Sequence, residues 1–388
     1  MTQTAPIRAW LVDPSLFTAP YDAALTEGLV AAGVKPIWAI RPTRPGDRQE
    51  IAAEYVDEFF YRRVDGMTFL PGPLRALAKG VAHALGLARL VRRVVADPPD
   101  VVHFQWLVVP PLDALAIRII AARCPVVFTV HDTVPFNGDR LSMWQRLAFD
   151  VPIRLSDRVI VHTEAGRERL RARGVPSDKL AVIPHGPLKL PVPAPVPVAV
   201  PAPAARPQPD PRVTFLAFGE IKRYKGPDVL IEAVALLPPA VRAGARFIIA
   251  GRPRMDLAPL LARAAALDLP ELEIWPRRLS EPEMAELFAQ TDCFVFPYRQ
   301  IDASGVYFLT KSFGKWIIAS RVGIFAEDVK DGVQGQLVAP EDPAALAAAM
   351  TAAIRDRPAP RAVSPTSAWL EIGHATRDLY RQARHRAA

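Results

Sequence analysis

A chain of 388 residues is too long for one compact core and is expected to fold as two domains. Half of its residues are apolar and 23% are charged, a composition typical of a globular protein and unlike that of a disordered or fibrous one. No apolar run reaches the roughly 18 residues of a membrane-spanning helix, and the net charge of +8 favours anionic substrates or an anionic membrane surface over nucleic acid, for which no recognition pattern is present.

The cellular compartment is predicted from the N-terminus and the cysteines. Residues 1–8 lack the basic segment and apolar core of a secretory signal, so none is expected. Cys124 and Cys293 lie far apart at the ends of predicted strands, which favours neither a disulfide nor a metal site. A cytoplasmic, reducing compartment is therefore expected.

Strands and helices are predicted to alternate in the first half of the chain. The short, β-branched apolar runs typical of buried parallel strands are 101–104, 125–130, 158–162 and 181–184. Helical stretches occupy 21–32, 74–97 and 164–173. This alternation predicts a doubly wound α/β domain over residues 1–186.

The helix at 74–97 is amphipathic and basic. Its apolar stripe comprises Leu74, Leu77, Val81, Leu85, Val91 and Val94 or Val95, and its cations are Arg75, Lys79, Arg89, Arg92 and Arg93. Such a helix can lie on an anionic membrane, or it can pack on the sheet of its own domain.

Residues 187–211 interrupt the alternation with ten prolines in 25 residues. This composition favours an extended, semi-rigid polyproline II segment without a core. It predicts a linker between two α/β halves; a proline-rich ligand for a partner protein is the alternative.

The second domain is expected over 212–388, with its last helix able to pack back on the first domain. Predicted strands are 213–218, 247–250 and 293–297, and predicted helices are 229–237, 257–267, 281–290 and 306–313. The overall expectation is two Rossmann-like α/β domains.

The turn after 213–218 carries the chemistry of a diphosphate site. Gly219 follows the strand, Arg223 and Lys225 add positive charge, and Gly226 precedes a helix. Glycine permits a sharp turn and close approach of a ligand, and the start of a helix offers free N–H groups and the positive end of its dipole.

A second loop, 302–305, precedes the helix at 306–313. Ser304 and Gly305 are small enough for their N–H groups to meet a phosphate, and Asp302 is the only acid in the loop. A turn with a helix cap and no ligand is the alternative.

Three histidines stand near strand ends. His131 follows the strand 125–130 at its carboxyl end, where α/β folds place ligands, and could donate a hydrogen bond to a ligand hydroxyl. His103 and His185 are more readily explained as structural.

These segments together resemble the GT-B glycosyltransferases of the retaining, nucleotide-sugar-dependent family 4. The resemblance lies in the strand ending at His131-Asp132, in Val182-Ile183-Pro184-His185-Gly186, in Gly219 to Ala233, and in 325–335. The family usually has a second Glu about eight residues after the acid of the loop, whereas this chain has Leu309 or Thr310 there.

The resemblance implies an enzyme that transfers a hexose from a UDP- or GDP-sugar to a polysaccharide or lipid-linked glycan, with retention, at the cytoplasmic membrane face. His131 and Asp302 would be catalytic, and Gly219, Arg223, Lys225, Ser304 and Gly305 would bind the donor. No Asp-x-Asp motif is present where a metal-dependent transferase would need it, so no metal or other cofactor is expected. A nucleotide-sugar epimerase of the same fold, or a non-catalytic sugar-binding or scaffold protein, are the alternatives.

Overall fold

The computed structural model describes residues 5–44, 47–62, 64, 71–133, 150–189, 212–358 and 364–387. The chain forms two compact units: unit 1 comprises Met1–Gly186 and Pro365–Ala388, and unit 2 comprises Pro187–Ser364. Most of the predicted linker, 190–211, lies outside the described residues. The first residues of the linker differ from the expected segment without a core, because Pro187 is buried and the Leu188 N–H donates to the Phe308 carbonyl at 2.9 Å.

Unit 1 is built on a parallel sheet of seven strands in the order β3-β2-β1-β4-β5-β6-β7. The order reverses between β1 and β4, which makes their carboxyl ends a switch point of the kind at which such sheets bind ligands. The strands are β1 Ile7–Asp13, β2 Val34–Ile40, β3 Val56–Glu58, β4 Val101–Phe104, β5 Val126–Val130, β6 Arg158–Val161 and β7 Leu180–Val182.

The helices of unit 1 cover this sheet. They are α1 Ala19–Ala31, α2 Gly72–Ala96, α3 Pro110–Ala121 and α4 Glu164–Ala172, together with the last helix of the chain, which is α12 Pro365–Ala387. Helices α1 and α12 pack closely where Gly28 meets Gly373, since a Cβ on either glycine would overlap the backbone of the other helix. Trp369 of α12 is 2% exposed, so the final helix is part of the core of unit 1.

Unit 2 contains a parallel sheet of six strands in the order β10-β9-β8-β11-β12-β13. The strands are β8 Val213–Phe218, β9 Ala245–Ala250, β10 Leu272–Trp275, β11 Cys293–Phe296, β12 Trp316–Ser320 and β13 Gly335–Val338. The helices are α5 Pro227–Leu236, α6 Pro239–Arg242, α7 Ala258–Ala266, α8 Glu281–Gln290, α9 Gly305–Thr310, α10 Gly323–Asp328 and α11 Pro343–Asp356.

Apolar side chains on both faces of each sheet form the cores. In unit 2 one face buries Phe215 and Phe247 and the other buries Phe294 and Phe296, as expected when helices cover a parallel sheet on both sides. The predicted α/β class with two Rossmann-like domains is thereby confirmed.

Candidate functional site

The turn after β8 has a geometry that only glycine allows. Gly219 has a φ of 108°, and a Cβ there would lie 2.8 Å from the Lys225 Nζ and 2.9 Å from the Val306 Cγ2. The turn therefore brings the Lys225 ammonium against the backbone at the carboxyl end of the sheet, close to the first turn of α9. Lys225, Gly219 and the loop before α9, predicted separately, lie together in unit 2.

Lys225 is a largely buried cation without a carboxylate partner among the described residues. It ends the 3₁₀ turn Arg223–Lys225, and its Nζ lies 5.5 Å from the centroid of the Tyr298 ring. Burial and, to a smaller extent, the charge of Lys222 lower the Lys225 pKa to about 8, an effect that Glu220 partly offsets. A desolvated ammonium beside a glycine turn is suited to an anionic ligand, which would raise that pKa again.

The neighbouring cations differ from Lys225. The Lys222 Nζ lies 3.3 Å from the Glu220 carboxylate, which also pairs with Arg254 at 2.7 Å. Arg223 is exposed, and no ion pair of its side chain is found within the described ranges. Of the predicted cations, Lys225 lies within the turn and Arg223 lies at its surface.

Arg299 fixes the backbone of this turn. Its guanidinium donates to the Arg223 carbonyl at 2.7 Å and to both Asp228 carboxylate oxygens at 2.9 and 2.7 Å. It also pairs with Glu341 at 2.8 Å. Because Arg299 follows β11 and Asp228 lies in the first turn of α5, these bonds hold the 3₁₀ turn against the end of the sheet.

The second predicted loop lies at the start of α9. The Ser304 hydroxyl accepts a hydrogen bond from the Tyr307 N–H at 3.4 Å and so caps the helix. Gly305 is exposed, and a Cβ there would meet no atom within 4 Å. Asp302 is only 5% exposed, and its carbonyl accepts a hydrogen bond from the Ile324 N–H. The loop thus offers open space over Gly305 and a mostly buried acid beneath it.

No carboxylate stands at the position where the resembled family has its second Glu. Thr310 is 1% exposed and donates to the Tyr307 carbonyl, while Leu309 is partly buried. Lys311 and the Tyr307 hydroxyl both bond Asp328 at 2.6 Å. These hydrogen bonds connect the end of α9 to Asp328 of α10, near the position where the family has a charged group.

Tyr298 is a site residue that the sequence analysis does not identify. It is 2% exposed, its buried hydroxyl makes no hydrogen bond to any described group, and its ring lies beside Lys225. Burial raises the pKa of the phenol. Its position at the carboxyl end of β11, one residue after Pro297, is the signal that could have identified it.

In unit 1, His131 belongs to a cluster of polar and aromatic rings. It stacks on Trp106 with centroids 4.9 Å apart, its Nε2 lies 3.1 Å from the Gln105 Oε1, and its Nδ1 lies 3.2 Å from the His162 Nε2. Gln105 and Trp106 directly follow β4, so they share the carboxyl edge of the sheet with His131. Neither was predicted, although their position at a strand end was informative.

A hydrogen bond to the backbone fixes the tautomer of His162 in this cluster. The His162 Nδ1 donates to the Ile183 carbonyl at 2.9 Å, and burial lowers the His162 pKa to about 4, so the neutral ring accepts at Nε2. The Gln105 Oε1 that faces the His131 Nε2 can only accept a hydrogen bond. Burial lowers the His131 pKa well below its usual value.

The other two histidines have structural contacts. His103 is 1% exposed and bonds the Tyr380 and Thr129 hydroxyls, each at 2.7 Å, and burial lowers its pKa to about 3. The His185 Nδ1 donates to the Gly186 carbonyl at 2.7 Å. These contacts fit the structural interpretation of both.

A cavity of about 630 Å³ opens beside the switch point of unit 1. Its walls come from the loop after β1, from Arg41 after β2 and from α2. They include the side chains of Leu16, Phe17, Tyr61, Lys79 and His83. Leu16 and Tyr61 have φ values of 50° and 51°, a conformation that costs free energy in bulky residues and often accompanies binding sites.

Two Rossmann-like units, one of which carries a cationic glycine turn, form the architecture of the GT-B class. The comparisons support this class directly. Residues 23–186 match the family model described as Glycosyltransferase Family 4, and residues 202–367 match that of Glycosyl transferases group 1. The Anabaena HepE protein in complex with UDP-glucose aligns with a TM-score of 0.60 and 16% identity over 98% of both chains.

Sequence relatives point to the same group. The D-inositol 3-phosphate glycosyltransferase of Xylanimonas cellulosilytica is 27% identical over 74% of this chain and 73% of its own length. That of Thermomonospora curvata is 31% identical, but the match spans 38% of this chain and only 36% of the relative. The chain belongs to the GT-B glycosyltransferases of the family 4 type.

Proposed function

We propose that the protein transfers a hexose from a UDP- or GDP-sugar to a polysaccharide or lipid-linked glycan, and that unit 2 binds the donor. The observation that carries this proposal is Lys225, a largely buried ammonium without a carboxylate partner among the described residues, held against Gly219 at the end of β8. The UDP-glucose bound by Anabaena HepE supports a UDP-sugar as the first donor to test.

In the proposed mechanism, positive charge stabilises the departing diphosphate. Lys225 and Arg223 would neutralise its oxygens, and the N–H groups of Ser304 and Gly305 would add hydrogen bonds. Since these groups supply the charge, the proposal includes no metal ion. Asp302 would orient the donor sugar; its burial beneath the loop suits a positioning role better than attack on the anomeric carbon.

Retention then follows by same-face transfer. The acceptor enters on the side from which the diphosphate leaves, and a diphosphate oxygen takes its proton. His131 is the proposed sugar contact of unit 1. Its Nε2, which faces the Gln105 Oε1, would donate to a sugar hydroxyl in place of that oxygen.

Unit 1 is the proposed acceptor domain. The cavity beside its switch point is large enough for a sugar unit, and Lys79 in its wall favours an acceptor with an anionic group. The names of the relatives, which specify a phosphorylated inositol acceptor, support the same chemistry. For a lipid-linked acceptor the enzyme would work in the cytoplasm at the inner membrane face. Within the described residues no helix has both the length and the apolarity to cross a bilayer.

A two-stage experiment tests the proposal. A panel that includes UDP-glucose, UDP-galactose and GDP-mannose is screened for thermal stabilisation of the full chain, because a ligand of the folded state raises its stability. The stabilising donor is then incubated with acceptors, and NMR follows the sugar product.

Transfer with a retained anomeric configuration is expected. An inverted product would contradict the mechanism, an interconverted free nucleotide sugar would identify an epimerase, and binding without turnover would identify a sugar-binding protein. Asp302→Asn should slow transfer but keep retention, with no sugar–enzyme adduct in the mass spectrum. An adduct on Asp302 in the native enzyme would replace same-face transfer by double displacement.

A further inference from the structure

Arg299 holds two successive carbonyl groups of the turn that carries Lys225. Its own N–H donates to the Tyr224 carbonyl at 2.8 Å, and its Nη1 donates to the Arg223 carbonyl at 2.7 Å. Because Lys225 is the next residue of this 3₁₀ turn, the two bonds fix the backbone from which its side chain extends. The Lys225 Nζ lies against Gly219, so its placement depends on the position of the turn.

The charge of Arg299 is neutralised within the protein. Its Nη1 and Nη2 donate to the two Asp228 carboxylate oxygens at 2.9 and 2.7 Å, and its Nε donates to Glu341 at 2.8 Å. Every nitrogen of the guanidinium therefore has a carboxylate partner, whereas Lys225 has none among the described residues. Arg299 is thus suited to holding the turn, and Lys225 to meeting an anionic ligand.

The network around Arg299 joins three segments of unit 2. Arg299 follows β11, Asp228 lies in the first turn of α5, and Glu341 precedes α11. Glu341 has a φ of 57°, a left-handed conformation that is uncommon outside glycine and often found at functional sites. The side chains of Asp228 and Glu341 are 53% and 64% exposed, and ion pairs so open to solvent contribute little to folding stability. The geometry that the network imposes on the turn explains it better than stability does.

We propose that Arg299, held by Asp228 and Glu341, is a positioning residue that keeps Lys225 in place for the diphosphate of the donor. This inference rests on the proposed function of unit 2 and adds to it a residue that does not contact the ligand itself. A lysine side chain has many rotamers, and a ligand that had to order both the turn and the side chain would bind more weakly. Arg299 orders the turn before the ligand arrives.

A charge-conserving substitution tests the proposal in the full chain, with UDP as the probe. Arg299→Lys keeps the positive charge but cannot form the forked pair with Asp228. Isothermal titration calorimetry should show a UDP affinity about threefold to tenfold below that of the native chain. The matched control is Arg263→Lys, which breaks a similar forked pair with Glu232, at 2.6 and 2.8 Å, on the same helix α5. It should leave the UDP affinity unchanged.

Two further variants separate positioning from electrostatics and from direct contact. Asp228→Ala removes a negative charge near the turn, so a purely electrostatic effect would raise the UDP affinity, whereas loss of the held turn should lower it. A double-variant cycle shows whether Arg299 acts through Lys225. In a Lys225→Met background, Arg299→Lys should change the UDP affinity by less than about twofold.

The outcomes distinguish this inference from the proposed function. Unchanged UDP affinity in Arg299→Lys would overturn it, as would unchanged or tighter binding by Asp228→Ala. An equally large effect of Arg299→Lys in the Lys225→Met background would also overturn it, because Arg299 would then contact the ligand directly. A native chain that binds neither UDP nor UDP-glucose would contradict the proposed donor site, and this inference with it. Circular dichroism shows whether each variant is folded, and Asp228→Ala decides if Arg299→Lys is not.

Discussion

Substituting Lys225 by Met separates ligand binding from folding at the glycine turn of unit 2. Burial lowers the Lys225 pKa from 10.5 to about 8, which at about 1.4 kcal/mol per pKa unit means that the fold disfavours the charged form by about 3 kcal/mol. A methionine fills similar space against Gly219 and Tyr298 without that cost. The midpoint of thermal unfolding should therefore rise by about 2 °C or more at pH 7.

Donor affinity should change in the opposite direction. A hydrogen bond between an ammonium and a phosphate contributes about 1.5–3 kcal/mol, so Lys225→Met should weaken binding of the stabilising nucleotide sugar by about tenfold to a hundredfold. Isothermal titration calorimetry measures the affinity, and differential scanning calorimetry measures the thermal midpoint.

The matched control is Lys315→Met. Lys315 directly precedes β12 and so lies at the amino ends of the strands, whereas the glycine turn lies at their carboxyl ends. Its Nζ donates to the Ala289 carbonyl at 3.2 Å. Its substitution should leave donor affinity unchanged. Unaltered affinity in Lys225→Met would refute the phosphate assignment, and a fall in both affinity and thermal midpoint would show that Lys225 supports the fold instead.

Four further outcomes are expected. Donor affinity should decrease above about pH 8, where free Lys225 loses its proton, and binding near that pH should take up a proton, seen as a buffer-dependent heat in calorimetry. Tyr298→Phe should leave stability unchanged or higher, since it removes a buried hydroxyl without a hydrogen bond, and should weaken donor binding severalfold if that hydroxyl contacts the diphosphate. The pKa of His162 is about 4 in the fold, so as the pH falls from 6.5 towards 5 only the unfolded chain gains this proton; the free energy of unfolding should fall over that range, and His162→Gln should flatten the dependence. Elastase should first cleave the proline-rich segment within 190–211, and the two fragments should stay associated because α12, on the C-terminal fragment, packs in the core of unit 1; earlier cleavage within either unit would contradict the predicted linker.

Local patterns were sufficient to predict the class of fold and the glycine turn after β8. Short β-branched runs alternating with helical periods predicted strands that agree with β4, β5, β8 and β11 to within a residue, because burial on both faces of a parallel sheet requires such runs. The spacing of Gly219, Lys225 and Gly226 predicted a turn at the end of a strand. The structure places Lys225 against that turn. The turn could be predicted from local sequence because the conformational freedom of glycine is a property of the residue itself.

Tertiary structure decided how these local elements are combined. The sequence of α2 contains both apolar faces, but only packing determines that His83 and Leu90 are buried while Leu77 and Val81 are exposed. The partners of His131, namely Gln105 and His162, follow other strands of the sheet. Periodicity reports which residues share a face of one element, whereas contact partners, burial and the resulting pKa values depend on residues distant in the chain.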